Sequence, residues 1–234
     1  ISQLDIDADG DMDYLVGNAG LNSQVRASET KPIELFALDY NNDGKLDPIL
    51  CYYIQDKSYP MHPRDELVKQ IIQMRRKFPD YLSYADATIT DLIEPKLFKK
   101  ATKLKANILS SCWIENVQGE LILKKLPDLA QFSYINAFVN SDFDGDGAQD
   151  IIAAGNFYPL KPEIGMHDAS VGTFLKFTNN ELTVADNTIS PLWLYGDIRD
   201  MSLLSFKNGK KLVVVSKNND TPGVYEINPE FGNK

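Results

Sequence analysis

Three nine-residue stretches carry the residue types and spacing that bind a hard cation: DIDADGDMD from Asp5 to Asp13, DYNNDGKLD from Asp39 to Asp47, and DFDGDGAQD from Asp142 to Asp150. Each reads D-x-[DN]-x-D-G-x-x-D. Carboxylates this close repel one another unless a cation sits among them. Calcium takes six to eight oxygen ligands at roughly 2.3–2.6 Å. A tight loop supplies most of them from side chains at positions 1, 3 and 5, a carbonyl at position 7 and a carboxylate at position 9. The expected ligands are Asp5, Asp7, Asp9, the carbonyl of Asp11 and Asp13 in the first loop. In the second they are Asp39, Asn41, Asp43, the carbonyl of Lys45 and Asp47. In the third they are Asp142, Asp144, Asp146, the carbonyl of Ala148 and Asp150. The expectation is one Ca2+ per loop, about three per chain.

Position 6 is glycine in every loop (Gly10, Gly44, Gly147), as a sharp turn with positive φ requires. An EF-hand shares the opening of the pattern but needs a glutamate at position 12 and flanking helices. Position 12 here is Val16, Leu50 or Ala153, each in a strand-like run. Magnesium rarely takes all-protein carboxylate cages, and transition metals call for His or Cys, which the loops lack. The competing reading is a solvated Asx-turn between strands; the shared spacing, glycine and following strand speak against it.

The loops need elements to hold them. Each is followed by an apolar run, YLVGN, PILCYYI or IIAAGN, and two are preceded by one, IELFAL and YINAFVN. The unit is therefore strand, acidic loop, strand. A fourth unit, GDIRDMSLLSF with KKLVVVSKNND, has the strands, but Asp197 and Asp200 lack the loop spacing, so it reads as a repeat without metal. Further strands are expected in NILSSCWIENV, ELILKKL, TFLKFT and GVYEI.

The interval between the second and third loops is much longer and helical in pattern. In RDELVKQIIQMRRKF, Leu67, Ile71, Met74 and Phe78 fall on one face, with Val68 and Ile72 beside them. A second helix is expected through EPKLFKKATKLKA, with Pro95 first and Leu97, Phe98, Ala101 and Leu104 inward. The expected organisation is two calcium-loop repeats over 1–59 and an α-helical insertion over 60–106. The range 107–234 then holds the remaining strands of the second repeat, the third loop and the degenerate fourth repeat. The insertion reads either as a cap on the sheet or as a Lys-rich face for a partner.

The formal net charge of −9 argues against a nucleic-acid partner, and no apolar run is long enough for a transmembrane segment. Cys51 and Cys112 lie in apolar strand-like runs and read as buried thiols; a disulfide would need their strands to be neighbours. The first loop opens so close to Ile1 that the sequence reads as starting within a domain, with any export signal upstream.

Acidic loops between the strands of a repeating β unit resemble the FG-GAP/VCBS repeat family, including the trailing Gly-Asn at Gly17-Asn18 and Gly155-Asn156. Nearly the whole chain is similar to the C-terminal part of bacterial exported VCBS-repeat proteins, in the insertion opening RDELVKQ and the late GDIRDMSLL and NNDTPGVYEI. The resemblance implies a mainly β fold of β-propeller-type blades with an α-helical insertion. The units visible here, about four, would be part of a seven- or eight-bladed propeller, with calcium loops joining the first two strands of a blade. It also implies an exported location: periplasmic, cell-surface or extracellular.

No catalytic constellation stands out. His62 and His167 lie outside any nucleophile motif, and almost every clustered Asp is assigned to calcium. The leading expectation is a non-enzymatic binding module, its calcium structural, facing a protein or glycan partner. The loop Asn156–Gly172 is the candidate contact, through Asn156, Phe157, Tyr158 and His167. The alternatives are a propeller enzyme, such as a calcium-dependent polysaccharide lyase with part of its site outside this chain, and a scaffold that self-associates through the insertion.

Overall fold

Each acidic loop connects an antiparallel strand pair. The first joins β1 (Ser2–Leu4) to β2 (Asp13–Val16), and the second joins β3 (Ile33–Leu38) to β4 (Asp47–Ile54). β5 (Lys57–Pro60) returns along β4. Short helices follow: α1 (Arg64–Gln70), α2 (Met74–Lys77), α3 (Tyr81–Ala85), α4 (Ile89–Leu92) and α5 (Pro95–Phe98). β6 (Thr102–Ala106) then pairs with β3. Beyond it come β7 (Cys112–Val117), β8 (Glu120–Lys125) and a 3-10 turn at Asp128–Gln131. β9 (Ile135–Ser141) and β10 (Asp150–Gly155) flank the third loop. β11 (Thr173–Thr178), β12 (Glu181–Val184), β13 (Ile198–Ser205), β14 (Lys211–Lys217) and β15 (Gly223–Glu226) complete the order. The computed structural model describes residues 1–161, 165–185 and 193–228. Among them no helix is long and apolar enough to cross a membrane.

The fold is mainly β, in four antiparallel sheets with strand orders β1-β2-β7-β8, β5-β4-β3-β6, β12-β11-β10-β9 and β13-β14-β15. The chain divides into two compact units, one of residues 1–22 and 110–234 and the other of residues 23–109. The second is thus spliced into the chain between β2 and β7. This corrects the expected assignment of the strands after residue 107: β7 pairs with β2, Leu15 opposite Trp113, and completes the first loop's sheet. The second loop's sheet is closed instead by β6.

β6 corrects a second expectation. The helix expected over EPKLFKKATKLKA is a single turn, α5, and TKLKA is a strand in which Leu104 is exposed rather than inward. The physical cause is visible in β3. Glu34 is buried there, and Lys103 meets it at 2.7 Å while Lys105 lies at 4.0 Å. The alternation of Lys103, Leu104 and Lys105 brings both ammoniums to that carboxylate, as strand periodicity allows and a helix would not. The first expected helix is interrupted after Gln70, yet Leu67, Val68, Ile71, Met74 and Phe78 are all buried; Ile72 is exposed. They form one core with Phe36, Ile49 and Cys51 of the sheet, so the helices cap it.

In the other unit β10 is buried on both faces. Ile151 and Ala153 join Leu15, Trp113 and Leu175 in one core, while Ile152 and Ala154 join Val139, Ile198, Val213 and Val215 in another. Three sheets therefore stack face to face, with β10 in the middle one. Both cysteines are buried free thiols.

Candidate metal centre

The three loops are built alike. Position 9 opens the second strand and pairs with the residue just before position 1: Asp13 with Leu4, Asp47 with Leu38, Asp150 with Ser141. That buried carboxylate accepts the N–H of position 2, from Ile6 at 3.0 Å, Tyr40 at 2.9 Å and Phe143 at 2.9 Å. Position 1 accepts the N–H of the position 6 glycine, at 3.2, 2.9 and 3.1 Å in chain order. Position 3 accepts from position 5, at 3.3, 2.9 and 3.1 Å, and position 5 accepts from position 7, at 3.0, 2.9 and 2.8 Å. Each side chain is thus tethered by the backbone of its own loop. Positive φ recurs at position 6 (97°, 84° and 90°) and also at position 4, in Ala8, Asn42 and Gly145 (60°, 60° and 81°).

Ligands of one calcium lie within about twice the metal–oxygen distance of each other, roughly 5 Å. Carboxylate oxygens of Asp5, Asp7 and Asp13 lie within 4.8 Å of one another, as do those of Asp142, Asp144 and Asp146. Buried oxygens without a hydrogen-bond partner point the same way: Asp5 Oδ1 and Asp11 Oδ1 in the first loop, Asp150 Oδ1 in the third. A buried carboxylate oxygen left unpaired is costly, and a cation would relieve it. The donor set, all oxygen, fits calcium.

The loops differ in charge. In the first, burial and then the neighbouring carboxylates Asp9, Asp13 and Asp5 hold the Asp11 carboxyl above its ordinary value, and burial raises Asp7 as well. In the second, Asn41 brings an amide in place of a carboxylate, and its Nδ2 donates to Asp43 at 3.1 Å and to the carbonyl of Gln70 at 3.1 Å. Asp47 is raised by burial. In the third, burial pushes the Asp150 carboxyl up to about 6. There Lys176 donates to Asp144 and, at 2.9 Å, to Asp146. Its hydrogen bond holds the Asp146 carboxyl below the usual range.

No family model matches the chain, and neither does a curated protein or a solved structure.

Lys176 is the residue that reading the motif misses. Its trace in the sequence is a single charge inside the apolar run TFLKFT, whose other residues supply both cores. The trailing Gly-Asn pairs also acquire a reason. A Cβ on Gly17 would lie 2.1 Å from the carbonyl oxygen of Ile135, and one on Gly155 would lie 2.0 Å from that of Tyr134.

The expected contact loop is divided in role. Asn156, expected to meet a ligand, is buried; its amide donates to the carbonyls of Ser170 (2.8 Å) and Gly196 (3.0 Å) and accepts from Ser170 N–H (3.1 Å). It ties the loop ends together. Phe157 is half-buried between Tyr134, stacked at 5.0 Å, and the guanidinium of Arg199, also at 5.0 Å. His167 pairs with Phe157 through the backbone and packs edge-on to Tyr134 at 5.3 Å. Tyr158 is half-buried, and burial, then Asp168 and Asp197, push its phenol up. Residues 162–164 of this loop lie outside the described residues. In the fourth unit the buried Asp197 accepts from Arg199 at 2.8 Å and from Asn218 at 3.1 Å, both at Oδ2, while its Oδ1 has no hydrogen-bond partner.

Proposed function

We propose that this chain is a calcium-stabilised β-propeller module, exported from the cell, that binds a protein or glycan partner without transforming it. The calcium is structural. What carries the reading is one hydrogen-bond pattern built three times on different sequences, each loop starting a strand at a buried Asp. A turn that needed only to reverse the chain would not require a buried carboxylate at its end. Metal binding of this kind contributes to folding.

The propeller part of the reading is supported by the stacking of sheets around β10, buried on both faces as an inner blade would be. Export is supported by the chemistry of the sites: loops of modest affinity fill at extracellular calcium concentrations and not at cytosolic ones.

Two measurements test this. Elemental analysis of protein dialysed against calcium should return one calcium for each acidic loop, and a metal-free protein would overturn the reading. Acidic polysaccharides incubated with the calcium-loaded chain should stay intact. New ultraviolet-absorbing unsaturated ends would show an eliminating enzyme and end the binding-only view.

A further inference from the structure

Among the described residues, only the third loop has a basic side chain of the protein bonded to its carboxylates. Lys176 stands on β11 directly opposite Asp150, and its ammonium is shared by Asp144 and Asp146. Its strand is anchored by the neighbouring residues: Leu175 and Phe177 pack into the core toward the first sheet and Phe174 into the core toward the last. The first loop has five Asp side chains, Asp5, Asp7, Asp9, Asp11 and Asp13, and no ammonium or guanidinium bonded to any of them among the described residues. The second substitutes a neutral amide, Asn41. That the third loop is nonetheless made for a cation rests on a separate observation: the fully buried Asp150 keeps Oδ1 without a partner while Lys176 serves the two outer carboxylates.

We propose that Lys176 is a resident counter-ion of the third loop and competes with calcium for it, making this a weaker site than the first loop and one whose fold depends less on metal. The proposal rests on the reading of the loops as calcium sites. A divalent ion entering Asp144 and Asp146 must displace the ammonium or bind beside it, and either weakens binding. Without calcium, the same ammonium offsets the repulsion that the first loop leaves uncompensated. The first loop then fills before the third.

The test is calorimetric titration of calcium chloride into the chelator-stripped full chain, together with its melting in chelator. Wild type should show steps of unequal affinity, the third loop's being the one that Asp146→Asn removes. Lys176→Met should tighten that step by about tenfold or more and lower the melting temperature in chelator. Lys176→Arg, which keeps the charge, should leave both near wild type. A merely structural lysine would lower stability without improving affinity. If Lys176→Met leaves the third loop's step unchanged or weaker, the proposal is wrong. The order can also be read without that variant: Asp146→Asn, at an exposed position, should remove a weaker step and spare the tightest one, and loss of the tightest step instead overturns it. Equal steps insensitive to Lys176 sink this proposal while leaving the calcium sites standing. A stripped wild type that binds no calcium ends both.

Discussion

Asp150 shows what a single residue contributes. It is fully buried, gives one oxygen to the N–H of Phe143 and has no partner for the other. Burial lifts its carboxyl from 3.8 to about 6. Between those values the folded metal-free protein holds a proton that the unfolded chain releases, so this residue's contribution to stability falls as pH rises through that window. Above it the cost of keeping Asp150 charged is about 3 kcal/mol. In chelator, Asp150→Asn should therefore melt above wild type at pH 7, and the two should converge as the pH falls to about 4. In calcium the order should reverse, because the variant has lost a ligand. A variant that melts below wild type at pH 7 in chelator would show that Asp150 stabilises the metal-free fold, contrary to this account.

The elements explain why the loops recur with one register. Position 9 must start a strand so that its carboxylate is buried, and the strand must end where it meets its neighbour. Gly17 and Gly155 mark those ends, each pressed onto the backbone at Tyr134 and Ile135. Gly155→Ala should cost about 3 kcal/mol in urea unfolding, because the Cβ meets a carbonyl oxygen rather than a side chain that can turn away. A loss below a few tenths of a kcal/mol would mean that the backbone yields there. Much at this scale is legible in the sequence. The acidic spacing and the β-branched runs after it locate the hairpins β1–β2, β3–β4 and β9–β10, and the apolar face of residues 67–78 marks what the helices bury. What is not legible depends on distant partners. KATKLKA has both helical propensity and alternation, and the buried Glu34, far back in the chain, decides for a strand. The pairing of β7 with β2 spans the whole spliced unit, and local pattern has no term for it. Lys176 likewise acquires meaning only when β11 lies beside β10.

For the whole molecule the acidic character and the fold are one problem. A net charge of −9 is concentrated in loops that the backbone tethers in place, so the repulsion cannot relax by spreading. Each of the two compact units carries at least one such loop, and metal bound to the folded state stabilises it by mass action. The most direct test is thermal melting of the full chain in millimolar calcium and again after chelation. The melting temperature should fall by about 10 °C or more on chelation and recover when calcium is restored. An identical melt in calcium and in chelator would contradict this, leaving the three acidic loops as turns that hold no structural ion.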